Sequence, residues 1–408
     1  MQIILNIFNT MIKNRPIYIE KVRNYMYRNI IKVFVGQRRV GKSVLLRQVS
    51  ELIIKEKSNA NVIFISKEDL AFEFIRNYQD LVNYSESKRQ SDAENFLFID
   101  EIQDIEDFEK ALRHFQSKEC WDIYITGSNS KLLSGELATF ISGRYIEIKV
   151  STLSFTEFID FHNLSNDNET LQKYIRYGGL PFLINLDLTD AVVFDYLKNV
   201  YAAILYKDII ARHNIRNTGF LDKLILFLAD NTGSVVSAKS INDFLKSQRI
   251  SISHNNILDY LNYLCEAFFL YKAKRHDIKG KKILEFGEKY YFEDIGIRHA
   301  IGSYKSGDIN KIMENLVFIH LKINEFDVTI GKLQDMEIDF VAEKTDKRIY
   351  VQVAFSIPDE KVKAREFGNL LLIKDNYRKI VVTLDEIQIE NYEGVEHLHL
   401  WKFLSETF

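Results

Sequence analysis

The sequence has few of the residues that mark a secreted, membrane-spanning or disordered chain. It contains only two cysteines, Cys120 and Cys265, and three prolines among 408 residues. Two distant cysteines are too few for a disulfide framework or a thiolate metal site, which favours a reducing compartment. The scarcity of proline argues against disordered linkers, and no apolar run approaches the roughly 18 residues that a membrane span needs. We therefore expect a cytoplasmic protein with no membrane partner.

The chain also lacks a strong excess of charge of either sign. Its formal net charge is -3, so a nucleic-acid-binding face would have to be a local basic patch. A hydrophobic content of 46% is ordinary for globular proteins. At roughly 100 to 200 residues per domain, the length predicts several domains, each with its own core.

The most specific motif is GQRRVGKS at residues 36–43, which fits the phosphate-binding pattern G-x-x-x-x-G-K-[ST]. An apolar stretch before it predicts a buried strand, and KSVLLRQVSELIIKE after it predicts a helix. In this context backbone N–H groups converge on phosphate, Lys42 neutralises the outer phosphates and the Ser43 hydroxyl ligates Mg²⁺. The predicted nucleotide contacts are Gly36, Gln37, Arg38, Arg39, Val40, Gly41, Lys42, Ser43 and Val44.

A second motif, FLFIDE at residues 96–101, supplies two acids at the end of an apolar strand. Asp100 is placed to hold the metal together with Ser43, and Glu101 is placed to polarise an attacking water. The alternative is a strand that ends in a solvated turn. The order and spacing of the two motifs favour a hydrolytic site, with one further strand, NVIFIS, between them.

Polar residues follow the next predicted strand, WDIYITG. Ser128 and Asn129 could sense the terminal phosphate or the water, or they could form a turn that caps the following helix. Arg144 could act as an arginine finger, from the same chain or from a neighbouring subunit, or it could be a surface arginine. A finger acting between subunits would require a homo-oligomer.

Together with YITGSNSKLLSGELATFISGR, LSFTEF and YIRYGGLPFLI, these motifs resemble a family of prokaryotic AAA+-type ATPases. Such proteins carry an N-terminal ATPase module and a separate C-terminal domain of uncharacterised role. The resemblance implies ATP with Mg²⁺ as the cofactor and an α/β P-loop core, which we predict over residues 1–160. It also implies a helical lid, predicted over residues 161–216, that contains the GGLP turn.

Short amphipathic helical patterns begin at about residue 217 and are followed by a hairpin with a turn at Gly280, and together they make up a predicted domain over residues 217–305. This order predicts a winged helix-turn-helix that binds double-stranded DNA, and the family resemblance also implies a domain of this kind. An alternative is a winged helix that contacts protein instead. The candidate DNA contacts are Asn255, Asn256, Lys274, Arg275, Lys279, Lys281 and Lys282.

The order of predicted elements in residues 306–408 resembles the PD-(D/E)xK nuclease fold, an α/β fold of restriction-nuclease type. Asp339 matches the metal-binding aspartate of that pattern, but Gln352 and Ala354 stand where Glu and Lys belong. A neutral amide holds a hard cation less well than a carboxylate, and alanine cannot stabilise developing charge. Glu314, Glu337 and Lys363 could compensate in part. We predict a degenerate site, formed by Glu314, Asp339 and Gln352, that does not cleave.

The first hypothesis is therefore Mg²⁺-dependent ATP hydrolysis that controls a DNA-binding winged helix and a nuclease-like domain. Lys42, Glu101, Asn129 and Arg144 are its candidate catalytic residues. One alternative is a signalling ATPase whose later domains bind a protein partner. Another is an ATP-dependent nuclease.

Overall fold

The structure is a computed structural model, and it describes residues 13–130, 143–249, 252–280, 282–386 and 391–408. The chain divides into two compact units. The first is formed by Met1–Ser151 with Glu266–Phe268, and the second by Thr152–Cys265 with Phe269–Phe408. Of the helices described, none is long and apolar enough to cross a membrane. The predicted division into four domains stays a prediction.

The first unit contains a five-stranded parallel sheet in the order β2-β3-β4-β1-β5. Its strands are β1 (Ile31–Val35), β2 (Ala60–Ser66), β3 (Glu94–Asp100), β4 (Trp121–Gly127) and β5 (Tyr145–Lys149). Its helices are α1 (Pro16–Arg23), α2 (Lys42–Glu56), α3 (Tyr78–Lys88) and α4 (Phe108–Lys118), with single 3-10 turns at Leu70–Phe72 and Ile102–Asp104. The predicted strand, loop and helix around GQRRVGKS are confirmed as β1, the loop and α2.

Successive residues of β3 pack in two separate hydrophobic clusters, because alternate side chains of a strand point to opposite faces of the sheet. Phe96 and Phe98 pack in one cluster with α2 residues such as Leu45. Leu97 and Ile99 pack in the other. Burial on both faces explains why the parallel strands read as continuous apolar runs in the sequence. Packing on both faces of β3 therefore fixes the position of Asp100 at the carboxyl end of this strand.

The second unit begins with helices. These are α5 (Phe155–His162), α6 (Asn168–Tyr177), α7 (Asp190–Ala203), α8 (Thr218–Asp230), α9 (Ala238–Ser247), α10 (His254–Glu266), α11 (Ile295–Gly302), α12 (Ile309–Ile323), α13 (Glu360–Leu371) and α14 (Leu400–Ser405). Helix α7 continues through a π-helical segment, Ile204–Ile210, into the turn Ala211–His213. Further 3-10 turns lie at Pro181–Asn185 and Ser306–Asp308.

Two of the family-like motifs now have a structural role. In LSFTEF, Ser154 and Glu157 form a capping box that starts α5, which satisfies N–H groups that the helix leaves open. In the GGLP turn, Asp294 Oδ2 accepts a hydrogen bond from the Gly179 N–H over 2.8 Å. Gly178 has φ +75°, and a Cβ there would lie 2.5 Å from Asp294 Oδ1. The turn therefore needs glycine to admit the buried carboxylate.

The second unit also contains a nine-stranded mixed sheet in the order β13-β14-β12-β11-β10-β9-β7-β8-β6. Its strands are β6 (Val235–Val236), β7 (Leu270–Asp277), β8 (Lys282–Phe292), β9 (Asp327–Leu333), β10 (Met336–Lys344), β11 (Lys347–Val353), β12 (Arg378–Thr383), β13 (Asn391–Tyr392) and β14 (Val395–His399). Strands β9, β10 and β11 pair antiparallel, and β11 pairs parallel with β12 after the crossover helix α13. The β7–β8 hairpin joins the same sheet because β7 pairs parallel with β9.

Candidate functional site

The phosphate-binding motif forms a tight loop between β1 and α2. Lys42, the first residue of α2, directs its Nζ back to donate to Gly36 O over 2.9 Å and to Gln37 O over 3.0 Å. A Cβ at Gly36 would lie 2.1 Å from Val150 O, so this position tolerates only glycine. The loop therefore presents a helix N-terminus and a buried ammonium, which together favour an anion.

Asp100 forms hydrogen bonds both with the start of α2, next to the loop, and with the end of the neighbouring strand β4. Its Oδ1 accepts hydrogen bonds from Ser43 Oγ over 2.9 Å and from Thr126 Oγ1 over 2.6 Å, and Ser66 Oγ lies 3.4 Å from Oδ2. Burial raises the pKa of Asp100; the hydrogen bonds from Thr126 and Ser43 oppose this effect, and Glu101 adds to it. The predicted pair of Ser43 and Asp100 is thus brought together at the ends of adjacent elements.

Glu101 follows directly and is also buried. Its backbone lies in the left-handed region with φ +57°, and its N–H donates to Thr126 Oγ1 over 2.9 Å. Its Oε2 accepts a short hydrogen bond from Gln103 Nε2. The Glu101 carboxylate is therefore held by the side-chain amide of Gln103, which the 3-10 turn after β3 places beside it.

The remaining predicted residues of this site differ in their exposure to solvent. Ser128 and Asn129 are buried just after β4, at the same edge of the sheet as Asp100. Arg144 is exposed immediately before β5. In the loop, Val40 is buried, whereas Arg39 and Val44 are exposed. Arg38 is buried and its guanidinium lies 3.4 Å from Glu68 Oε1.

A pocket of about 450 Å³ opens beside the Ser43–Asp100 pair. Its lining residues are Ser43, Arg47, Ser66, Glu68, Asp69, Leu70 and Asp100. A pocket with a hydroxyl and a buried carboxylate at one wall suits a hydrated divalent cation, because Mg²⁺ prefers oxygen ligands and retains several waters.

The residues present fit a nucleotide with its magnesium ion. The side-chain amide of Gln37 is buried and both its polar atoms lack a hydrogen-bond partner among the described residues. Buried polar atoms without partners are rare and call for an explanation. A ligand in the loop would supply partners, while Lys42 offers the charge and Ser43 with Asp100 the oxygen ligands that ATP and Mg²⁺ require.

The candidate DNA contacts lie in the second unit on two elements. Asn255 and Asn256 are exposed in the first turn of α10, and Lys274 and Lys279 are exposed on or just after β7. Arg275 is half-buried, with its guanidinium 3.8 Å from Glu337 Oε2. Lys281 lies outside the described residues, and only the backbone of Lys282, in β8, is described.

The candidate nuclease-like residues come together on α12, β10 and β11. Asp339 is buried; its Oδ2 accepts from the Val353 N–H over 2.8 Å, and the Gln352 amide oxygen accepts from the Asp339 N–H over 3.4 Å. Lys363 lies elsewhere, 3.3 Å from Glu360 on its own helix. Among the described residues, no group of three or more His, Cys, Asp or Glu side chains is placed to hold a metal ion.

Three side-chain contacts to candidate site residues were not predicted in the sequence analysis. Thr126 bridges the two acids, Gln103 binds Glu101, and Lys289 of β8 donates to Glu314 Oε1 over 2.9 Å. Thr126 stood at the predicted strand end and could have been found from the rule that parallel strands end at one edge. Nothing in the local sequence signals the partner of Lys289, which is 25 residues away.

Comparison with known proteins agrees with this geometry. A family model described as an AAA domain matches residues 28–159, and one described as a domain of unknown function matches residues 168–308. The chain is similar to a solved Walker-type ATPase of Pyrococcus abyssi, with 16% identity, a TM-score of 0.47, and coverage of 71% of this chain and 96% of that one. The match to the AAA-domain model, together with the five-stranded parallel sheet that lies within the matched residues, identifies residues 28–159 as an AAA-type P-loop ATPase domain.

Two relatives match over nearly the whole chain. An uncharacterised protein of Haemophilus influenzae is 38% identical over 398 residues, which is 96% of this chain and 98% of the relative. An uncharacterised protein of Methanocaldococcus jannaschii is 28% identical over 417 residues, which is 96% of this chain and 90% of the relative. The chain belongs to the same family as the H. influenzae relative.

Proposed function

We propose that this protein is a Mg²⁺-dependent ATP hydrolase. The observation that carries the proposal is the 2.9 Å hydrogen bond between Ser43 Oγ and Asp100 Oδ1, which joins the start of α2 to the end of β3. When bound, ATP and Mg²⁺ supply the phosphoanhydride and the cation that shields it. Lys42 would bind the outer phosphates, Ser43 and Asp100 would hold the cation, and backbone N–H groups of residues 36–44 would bind the phosphate oxygens.

Glu101 acts in this proposal as the general base. A water between Glu101 and the terminal phosphate would lose a proton to the carboxylate as its oxygen bonds to the phosphorus and the phosphoanhydride bond to the leaving ADP breaks. The hydrogen bond from Gln103 orients that carboxylate. Asn129 orients the water or the phosphate, and Arg144, exposed before β5, stabilises the charge that develops, from the same subunit or from another in a homo-oligomer.

We further propose that nucleotide state controls a DNA-binding winged helix. The order α8, β6, α9, α10, β7 and β8, with β6 and β7 both antiparallel to β8, supports a winged helix in residues 217–305. The first turn of α10 leaves Asn255 and Asn256 exposed toward base edges, while Lys274 and Lys279 are available for phosphates.

Binding of a protein partner is the second candidate. Two of the hairpin cations are engaged within the chain, because Lys272 lies 3.1 Å from Glu288 and Arg275 lies 3.8 Å from Glu337. Internal pairing reduces the charge available for a polyanion. Salt dependence separates the two candidates, since contacts to DNA phosphates weaken steeply as counter-ion concentration rises.

For the C-terminal residues 306–408 we propose a nuclease-like domain that does not cleave. Support comes from the order α12, β9, β10, β11, α13, β12 and from the buried position of Asp339 on β10. Gln352 replaces a carboxylate, and Ala354 is a small buried residue where an ammonium would be needed.

The decisive experiment measures ATP binding and hydrolysis by the whole chain, with and without duplex DNA. Wild type is compared with Lys42→Ala and with Lys55→Ala, an exposed lysine on the same helix. We expect Lys42→Ala to weaken ATP binding about 10- to 100-fold, the effect of hydrogen bonds to charged groups, and Lys55→Ala to match wild type. ATPase activity unaffected by Lys42→Ala would refute the proposed site; activity indifferent to DNA would refute only the DNA link. A mass measurement in ATP tests for the homo-oligomer.

A further inference from the structure

A buried lysine lies inside the acidic cluster of the nuclease-like region. Lys289 Nζ is 2.9 Å from Glu314 Oε1 on α12 and 2.9 Å from Glu337 Oε1 on β10. The lysine side chain is 4% exposed. It comes from β8, the second strand of the hairpin, and not from the strand where the nuclease pattern places its lysine.

The other members of the cluster surround this ammonium with negative charge. Tyr291 donates its hydroxyl to Glu314 Oε1 over 2.6 Å, and Asp339 is buried beside the two glutamates. Burial opposes the charged form of Lys289, but Glu314, Asp339 and Glu337 outweigh it and raise the pKa of the lysine above its usual value. Two ion pairs of 2.9 Å therefore hold the Lys289 ammonium between Glu314 and Glu337.

Carboxylates crowded together in a protein interior need a cation, because each buried charge must be paired. A divalent ion is one solution, and an ammonium is another. Here the ammonium already contacts two of the three carboxylates directly, and a tethered group competes with a diffusing ion at a high effective concentration.

We propose that Lys289 is the resident cation of this cluster, taking the place that a divalent metal ion would occupy and keeping the site closed to metal. The same ion pairs fasten β8 to β10 and α12. This inference rests on the contacts of Lys289 alone and does not depend on ATP hydrolysis or DNA binding.

The test is Mn²⁺ binding by the full chain without nucleotide, measured by the loss of the free Mn²⁺ electron paramagnetic resonance signal. Wild type is compared with Asp339→Asn, Lys289→Arg, Lys289→Met and the double variant Lys289→Met/Asp339→Asn. The ATPase domain is identical in all five proteins, so differences report on this cluster.

We expect wild type, Asp339→Asn and Lys289→Arg to bind Mn²⁺ equally. Lys289→Met should gain a site at least about tenfold tighter than any at this cluster in wild type, because removing the ammonium leaves its carboxylates unpaired. The added Asp339→Asn change should abolish that gain.

Two results would overturn the proposal. One is a Mn²⁺ site in wild type that Asp339→Asn removes, since metal and ammonium would then coexist. The other is a folded Lys289→Met protein that gains no site. If Lys289→Met does not fold, Lys289→Gln replaces it, because glutamine is neutral and keeps a donor for Glu314; a rise in its thermal midpoint on adding Mn²⁺, absent in wild type, supports the proposal, and no rise contradicts it.

Discussion

The hydroxyl of Thr126 links the two acids of the nucleotide site. It donates to Asp100 Oδ1 over 2.6 Å and accepts from the Glu101 N–H over 2.9 Å. One side chain from β4 thus fixes the carboxylate proposed to hold the metal and the backbone of the residue proposed to activate water. The position of both acids depends on the neighbouring strand as well as on their own.

Replacing Thr126 with valine keeps the side-chain shape and removes both hydrogen bonds. We expect the free energy of unfolding to fall by about 1 to 3 kcal/mol, because a buried N–H and a buried carboxylate each lose a partner. Since the Thr126 hydrogen bond lowers the pKa of Asp100, its loss should raise that pKa further. The acid limb of the ATPase pH profile should then move to higher pH. Thr218→Val, at an exposed threonine, is the matched control, and an unchanged profile in Thr126→Val would contradict the assigned role.

Glu101→Gln should keep ATP binding and lose turnover. Glutamine preserves the size of the side chain but cannot accept the proton of the attacking water, an effect of about 10²- to 10⁴-fold in rate. Equilibrium binding of labelled ATP and steady-state phosphate release measure the two properties separately. Glu106→Gln changes an exposed glutamate nearby and should behave as wild type. Turnover that survives in Glu101→Gln would remove this residue from its role as base.

The double variant Lys274→Ala/Lys279→Ala should weaken binding to duplex DNA at low salt with little dependence on sequence. If each lysine contacts one phosphate, the slope of log affinity against log salt should become shallower by about 1.8, or about 0.9 for each lost contact. Fluorescence anisotropy between about 50 and 200 mM salt measures this slope. Lys198→Ala/Lys361→Ala removes the same charge from two exposed helical positions. If wild type shows no DNA binding at low salt, with or without ATP, the protein-partner candidate is favoured.

His299 should contribute a loss of stability in acid to the second unit. Burial and the neighbouring Arg298 lower the pKa of His299 from 6.5 to about 3, and its Nε2 lies 3.1 Å from Ile175 O. Between about pH 6.5 and pH 3, His299 is therefore protonated in the unfolded chain but neutral in the folded chain. The free energy of unfolding falls as the pH falls through this range. His299→Gln should flatten the dependence by about 1.4 kcal/mol per pH unit, measured by denaturant unfolding between about pH 4 and pH 6. His254→Gln, at an exposed histidine, should leave the slope unchanged.

The sequence predicted the local fold around the proposed nucleotide site correctly because short contiguous motifs specify β1, α2 and β3. The loop at residues 36–43 fixes Lys42 and Ser43 by local backbone geometry, and the apolar run before Asp100 requires a buried strand. Contacts between distant segments were not accessible in the same way. Gln103 is polar and close to Glu101, but only the 3-10 turn after β3 directs its amide to that carboxylate.

The acidic cluster shows a different reason for a missed residue. Lys289 lies in a stretch of β8 where three consecutive residues, Lys289, Tyr290 and Tyr291, are all buried, so no alternation of polar and apolar residues marks its direction. A lysine is almost never fully buried without a partner, and the sequence alone does not identify that partner. Partners on α12 and β10 become visible only when the sheet is assembled.

The pairing of β7 with β9 has a practical consequence for dividing the chain. A recombinant fragment that starts at residue 306 would lack β7, and the backbone hydrogen-bonding edge of β9 along Ile330, Gly331 and Lys332 would be left open. Open strand edges template pairing with other chains, so this fragment should self-associate. A fragment that starts at Thr152 retains β7 as a cover for that edge and should stay dispersed at concentrations at which the shorter piece precipitates.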